Sequence, residues 1–281
     1  MRWYREFGRH TLPWRLTRDP YAVLVSEVML QQTQVDRVLP YYTSWLTRWP
    51  TAKSLAAASV GDAIRAWGGL GYNRRAVNLH RASQAVADRP FPKNLTALRR
   101  LPGVGPYTAS AIVSFAFGQR VPVVDTNIAR VLARVVHGAA SARDVSVSTL
   151  AASGEALLPL RSGRAHNLAL MDLGALICSA RRPACAVCPV RRVCAWRAAG
   201  YPPRAKLLRP GPRFEVTARF ARGKIVDALR VERSLSVDAL GERLPAKHRP
   251  KVDLYLQALL REGIIDRTEG GEWRLPVLTG G

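Results

Sequence analysis

The sequence has no cysteine before position 178 and none after 194, only ten carboxylates in its first 200 residues, and no long apolar run. The missing run excludes a helical integral membrane protein, because a spanning helix needs about 18–20 consecutive apolar residues. The N-terminal stretch, Met1-Arg-Trp-Tyr-Arg-Glu-Phe-Gly-Arg-His10, offers no apolar core for a secretory signal, so a cytoplasmic protein is expected. A disulfide framework would spread its cysteines to staple distant segments. Four cysteines within 17 residues indicate instead a metal or cluster site in a reducing compartment.

The shortage of acid leaves a large surplus of base. Lys and Arg number 43 against 20 Asp and Glu, a net charge of +23, and a polyanion such as nucleic acid is the partner this implies. Residues 201–281 hold 16 basic and 10 acidic side chains, so most of the surplus belongs to the first 200, with 27 and 10. The chain is otherwise of globular composition, 48% hydrophobic over 281 residues, enough to bury a core.

Alternating strand patterns are scarce and helical spacing dominates, so the fold class is mainly α. Helices are expected over Tyr21–Leu30, opened by Asp19 as cap and Pro20 in the first turn, and over Ser54–Trp67, Arg74–Ala87, Thr108–Phe117, Asn127–Val136 and Ala165–Ile177. The Pro-rich stretch from Tyr201 to Pro212 reads as a connector. Beyond it, helices over Arg222–Arg230, Ser236–Leu244 and Pro250–Glu262 precede two short strands about Glu269-Gly-Gly271. Three helices and a terminal hairpin predict a small winged-helix-like module over 216–281. Lys247, Arg249, Lys251 and Arg261 make the Pro250–Glu262 helix its expected approach to DNA phosphates.

Three motifs carry chemistry. Cys178-x6-Cys185-x2-Cys188-x5-Cys194 supplies four thiolates for tetrahedral zinc or a [4Fe–4S] cluster, and the spacing alone leaves that choice open. In Leu101-Pro-Gly-Val-Gly-Pro-Tyr107, the run Gly103, Val104 and Gly105 lets successive backbone N–H groups face an anion at the start of the following helix. Two carboxylates stand out among the ten. Glu27 lies in the apolar helix Leu24-Val-Ser-Glu-Val-Met-Leu30, where burial would favour its neutral, proton-donating form. Asp125, in Val121-Pro-Val-Val-Asp-Thr-Asn127, opens the next helix, whose positive end favours the ionised form; a plain cap is the simpler reading. One neutral acid beside one retained carboxylate is the division of labour that glycosidic cleavage needs.

Residues 3–200 resemble the adenine-specific mismatch DNA glycosylases of the MutY type, in the helix-hairpin-helix superfamily. The resemblance rests on Leu12-Pro-Trp-Arg15, Ser26-Glu-Val-Met-Leu-Gln-Gln-Thr-Gln34, Gly69-Leu-Gly-Tyr72, Leu101 to Thr108, Val124-Asp-Thr-Asn127 and the cysteine loop, in that order. It implies a helix-hairpin-helix barrel over about 20–120, an iron–sulfur domain from 1–19 and 121–200, a linker over 201–215 and the module. It also implies that Cys178, Cys185, Cys188 and Cys194 hold a [4Fe–4S] cluster. In that loop Arg181, Arg182, Arg191 and Arg192 would offer cations to phosphates. Glu27 would protonate N7 of adenine and Asp125 would stabilise the oxocarbenium-like sugar, with Tyr107 and Asn127 positioning them. Arg15 and Leu30 would line the pocket for the extruded base, and Gln32 and Tyr72 would wedge into the stack.

Three departures from the family pattern qualify what it implies. Tyr107 occupies the place of the lysine in bifunctional relatives, so strand cleavage through a Schiff base is not expected. Leu168 stands where the family often has a polar residue touching adenine. The usual NUDIX-like reader of 8-oxoguanine has no counterpart in residues 201–281. The expectation is a monofunctional enzyme, monomeric and nucleoid-associated in the cytoplasm, acting on duplex DNA with A:8-oxoguanine or A:G mispairs. A thymine or uracil mismatch glycosylase and a non-catalytic DNA-binding regulator are the rival readings.

Overall fold

The computed structural model describes residues 1–203 and 211–278, so residues 204–210 of the expected linker lie outside the described residues. Helices make up nearly all regular structure; among the described residues the strands are Asp266–Arg267 and Trp273–Arg274. No helix among them is long and apolar enough to cross a membrane.

The chain divides into two compact units. One comprises Met1–Val23, Lys93–Arg99 and Val104–Arg209; the other comprises Leu24–Pro92, Arg100–Gly103 and Pro210–Gly281. This grouping differs from the segments expected above. The C-terminal module shares a unit with residues 24–92, to which it is bonded at both ends. Arg230 donates to the Ile64 carbonyl at 3.1 Å and to Asn73 Oδ1 at 2.7 Å, and the Pro276 carbonyl accepts from the Gly61 N–H at 2.9 Å.

Local chemistry sets the helix ends. Asp19 Oδ1 accepts from the Tyr21 N–H at 3.0 Å, and the helix runs Pro20–Leu30. The single helix expected over Ser54–Trp67 is two, Ala52–Ala56 and Val60–Ala66, because Ser59 caps the second: its Oγ accepts from the Asp62 N–H at 2.9 Å. The helix expected to end at Ile177 is α only over Gly163–Asp172 and widens to a π turn over Leu173–Ile177, closed by Cys178 N–H on the Leu173 carbonyl at 2.7 Å. In the module, Thr217 caps a helix that begins early, Ala218–Val231. Pro250 lies in a 3-10 segment, Ala246–Lys251, leaving the last helix as Val252–Arg261. The terminal hairpin pairs Asp266 with Arg274 and Arg267 with Trp273, and Leu235 bridges to Trp273 as a third edge.

Each unit has its own core. Trp45, Trp67, Leu24, Met29, Leu55, Ile64 and Leu79 are fully buried in the second, with Trp45 edge-on to Trp67 at 5.5 Å. In the first, Ile112, Ile128 and Leu132 play that part around a polar centre, Asp172. Its carboxylate accepts from Arg9 N at 2.9 Å, Arg9 Nε at 2.6 Å and both terminal nitrogens of Arg15 at 2.6 and 2.8 Å. Burial alone would raise its pKa, but these donors outweigh it and hold the carboxyl below the usual range. The group therefore stabilises the fold above the unfolded aspartate value and loses that contribution as pH falls through its own lower value. Removing the carboxylate leaves Arg15 buried without its partner. Asp172→Ala should cost about 3–5 kcal/mol in a denaturant titration, and a loss within the ordinary surface range would contradict the hub.

Candidate active site

The first unit brings Asp125, Asn127 and the cysteine loop to one helix, Thr126–Val135. Asp125 is its N-cap: Oδ1 accepts from the Ile128 N–H at 2.6 Å and Oδ2 from Asn127 Nδ2 at 3.0 Å. The bond from the Ile128 N–H favours the ionised form of Asp125, as a helix end does, and burial opposes it. Burial raises its pKa, and the bonds from Ile128 and Asn127 with the charge of Arg130 recover only part of that shift. A half-buried carboxylate gripped on both oxygens is oriented and partly desolvated, which suits it to face a developing cation.

Arg130 holds this loop to the next segment. It donates to Asn127 Oδ1 at 2.9 Å, the Gly174 carbonyl at 2.5 Å and the Cys178 carbonyl at 2.7 Å. One turn on, buried Arg134 donates to Cys178 Sγ at 3.4 Å, to the Ser179 and Ala180 carbonyls at 2.7 and 3.1 Å, and lies 4.5 Å from the Trp196 ring. Sequence reasoning passed over both arginines, although their i, i+4 spacing on a helix capped by Asp125 was a usable signal.

All four cysteines line one cavity together with Leu173, Ile177, Val190, Trp196, Arg134 and Arg197. None is in a disulfide, and burial with the other three thiols nearby pushes the Cys188 thiol up. Among the described residues no three His, Cys, Asp or Glu side chains are grouped so as to hold a single ion. Four thiols around one apolar cavity with arginines at its wall are a donor set that fits a cluster held by four cysteines. Arg181, Arg182, Arg191 and Arg192 are exposed on the loop.

The other first-unit residues fall in different roles. Tyr107 is half-buried in the first turn of the helix Pro106–Phe115. Arg15 does not stand open to a ligand; its guanidinium is engaged by Asp172. Leu168 is buried on the helix Gly163–Asp172.

Glu27, Leu30, Gln32 and Tyr72 belong to the second unit. Glu27 is 6% exposed within a largely apolar, buried helix, and Leu30 ends that helix half-buried. Arg75, unremarked in the sequence, organises the rest. It donates to the carbonyls of Val28, Met29, Gln31, Leu70 and Gly71 at 2.5–3.1 Å, and its burial lowers its pKa to about 10, still cationic at neutrality. It thereby neutralises the C-terminal end of the Glu27 helix and ties it to the Tyr72 turn. Gln32 and Tyr72 both adopt left-handed backbone, φ +55° and +49°, a conformation costly for residues with side chains and one found at functional sites.

In the hairpin, Gly103 has φ +76°, and a Cβ there would stand 2.7 Å from that of Asn78. Gly105 caps the following helix, and Val104 between them is buried.

Comparison with known proteins places this architecture. The HhH-GPD superfamily base excision DNA repair protein family matches residues 25–149. The adenine DNA glycosylase of Mycobacterium tuberculosis H37Rv is 44% identical over 279 residues, covering 98% of this chain and 91% of that protein. The human adenine DNA glycosylase is 44% identical over 206 residues, 68% of this chain and 37% of its own length. Among solved structures, a thermostable thymine-DNA glycosylase aligns with TM-score 0.64 and 30% identity over 70% of this chain and 92% of its own. An endonuclease III–DNA complex shares the fold, with TM-score 0.60 at 22% identity, over 71% of this chain and 94% of its own. The architecture is that of a helix-hairpin-helix base excision repair protein. Within that superfamily, the chain belongs to the adenine DNA glycosylase family.

Gly174 sets the tolerance of the carboxylate loop. A Cβ there would stand 2.7 Å from Asn127 Cβ and 2.8 Å from its carbonyl oxygen. Gly174→Ala should destabilise the protein by about 1–3 kcal/mol, and shift the Asn127 amide resonances if the loop gives way. An unchanged melting curve with unchanged Asn127 signals would show that the contact is slack.

Proposed function

We propose that this chain removes adenine mispaired with 8-oxoguanine or guanine from duplex DNA by hydrolysing its N-glycosidic bond. The observation that carries the proposal is the pair of carboxylates in contrasting settings: Glu27 buried in an apolar helix, and Asp125 capping a helix with both oxygens held. Identity with adenine glycosylases over nearly the whole chain supports the base assignment, and the thymine or uracil reading is not favoured. A non-catalytic regulator would have no use for such a pair.

On this reading Glu27 delivers a proton to N7 of the extruded adenine, making it a neutral leaving group. Asp125, oriented by Ile128 N–H and Asn127, faces the cationic sugar carbon as the bond breaks. Tyr107 and Asn127 position the reacting groups. Water adds to the sugar carbon and gives up a proton, and because Tyr107 has no amine to attack there, the product is an abasic site in an uncut strand. Leu30 borders the base pocket, and Gln32 and Tyr72 fill the vacated stack. The turn at Gly103, Val104 and Gly105 binds a DNA phosphate, and the enzyme works as a monomer in the cytoplasm.

Cys178, Cys185, Cys188 and Cys194 would hold a [4Fe–4S] cluster, which when bound supplies a rigid anchor for the loop that bears Arg181, Arg182, Arg191 and Arg192. Anaerobically purified protein should contain about four irons per chain. Stoichiometric zinc without iron would overturn the assignment.

Single-turnover excision on duplexes carrying each mismatch tests the function. Adenine opposite 8-oxoguanine or guanine should be released, and Glu27→Gln and Asp125→Asn should each lose at least about 10²-fold in rate while still binding the mispair. Near-native excision by either variant would remove that residue from the mechanism. Because burial raises the Asp125 pKa, kcat/KM should fall on the acid side at a pH above that of an unperturbed aspartate, about 3.9. A flat profile down to that value would contradict the assignment of the ionised form.

A further inference from the structure

Five side chains of the second unit form a ladder in which aromatic rings and guanidinium groups alternate. The Arg75 guanidinium lies 5.3 Å from the ring of the fully buried Trp67 and 5.5 Å from that of Tyr72. On the module side, the Arg219 guanidinium lies 4.8 Å from the Tyr72 ring and 4.7 Å from that of Phe214, and it donates to the Tyr72 hydroxyl. Phe214 is seated in turn edge-on to Phe220 at 5.6 Å. Tyr72, exposed and on left-handed backbone, thus carries a cation from the barrel segment and a cation from the module.

The two cations differ in how they are held. Arg75 is buried and bonded to the carbonyls of Val28, Met29, Gln31, Leu70 and Gly71, so it cannot leave without unmaking the turn. Arg219 stands in the first turn of the helix Ala218–Val231 and, among the described residues, makes no salt bridge. Its contacts are a neutral hydroxyl and two ring faces. A phosphate offers a guanidinium a charge-assisted, bidentate bond, which is stronger than either. Arg74 and Lys224 border the same groove, also without salt bridges, and would draw a phosphate backbone towards it.

A ring that enters a base stack must offer its faces to bases, and guanidinium groups stand over the Tyr72 ring instead. Of the two, Arg219 is the one that can leave. We infer that Arg219 latches the wedge: in the DNA-free protein it caps Tyr72, and a DNA phosphate releases the ring by taking Arg219 as its own partner. The inference rests on the reading of Tyr72 as the wedge of a glycosylase that extrudes adenine. The latch keeps an exposed aromatic ring on a strained turn from closing on other partners, and it opens only where a polyanion is seated. The C-terminal module thereby governs the wedge without reading a base.

Two measurements on the full chain test the latch. In protein carrying 3-fluorotyrosine, the fluorine NMR signal that Tyr72→Phe removes belongs to Tyr72. Arg219→Ala without DNA should move that signal, and an undamaged duplex, whose phosphates suffice, should move the signal of the unsubstituted protein in the same direction. A Tyr72 signal unmoved by either would overturn the inference. The second measurement follows extrusion by stopped-flow fluorescence of 2-aminopurine in place of the target adenine, opposite guanine, at saturating protein, where the rate no longer depends on affinity. Arg219→Ala should raise this plateau rate by about threefold or more, because the cap no longer has to be lifted. Arg219→Lys keeps a charge for the phosphate but lacks the planar group that caps the ring, so it should extrude as fast and bind more tightly than Arg219→Ala. An unchanged or slower plateau for Arg219→Ala would make Arg219 a brace and overturn the inference. No fluorescence rise with the unsubstituted protein would overturn the extrusion reading, while the fluorine signal reports the latch independently.

Discussion

Arg130 binds, with one guanidinium, the side chain that orients Asp125 and the backbone that begins the cysteine loop. Much of the first unit follows from that constraint. The Thr126–Val135 helix becomes a beam with the carboxylate at its N-terminal end and the cysteine loop fastened along its side, and Arg134 repeats the attachment one turn later. Gly174 is required because the beam approaches the preceding π turn more closely than a methyl group allows. A cluster that rigidifies Cys178 onward would fix the carbonyl that Arg130 grips, and so steady Asn127 and Asp125 without taking part in the chemistry.

The same economy governs the rest of the polar interior. With 43 basic and 20 acidic residues, the chain does not pair each of its buried arginines with a carboxylate. Arg15 has Asp172, whereas Arg75 and Arg134 are satisfied chiefly by backbone carbonyls at helix ends and turns. Such carbonyls carry partial negative charge, so the arginine stabilises both sides of the contact. The arrangement leaves the surface surplus of positive charge undiminished for a polyanion.

The mainly helical class, the cysteine cluster, the hairpin glycines and the two carboxylates were legible in the sequence because each depends on local spacing or on a rare residue type. Boundaries failed where a side chain acted on its own backbone: Ser59 split one helix, and Thr217 started another early. The setting of Asp125 was half legible. A cap can be read from its position, but the desolvation that raises its pKa depends on tertiary packing. Arg75, Arg130 and Asp172 were invisible in role because at least one of the segments each holds lies 44 or more residues away. The place of the module was equally hidden, since Arg230 finds its partners at Ile64 and Asn73.

Single-turnover adenine excision by Arg130→Met, with iron content determined on the same sample, tests most directly whether this arginine aligns Asp125 for the proposed reaction. The account predicts a rate about 10²-fold below that of the unsubstituted protein at full iron content, with Arg130→Lys recovering part of the loss. An Arg130→Met protein that excises adenine at the native rate would contradict it.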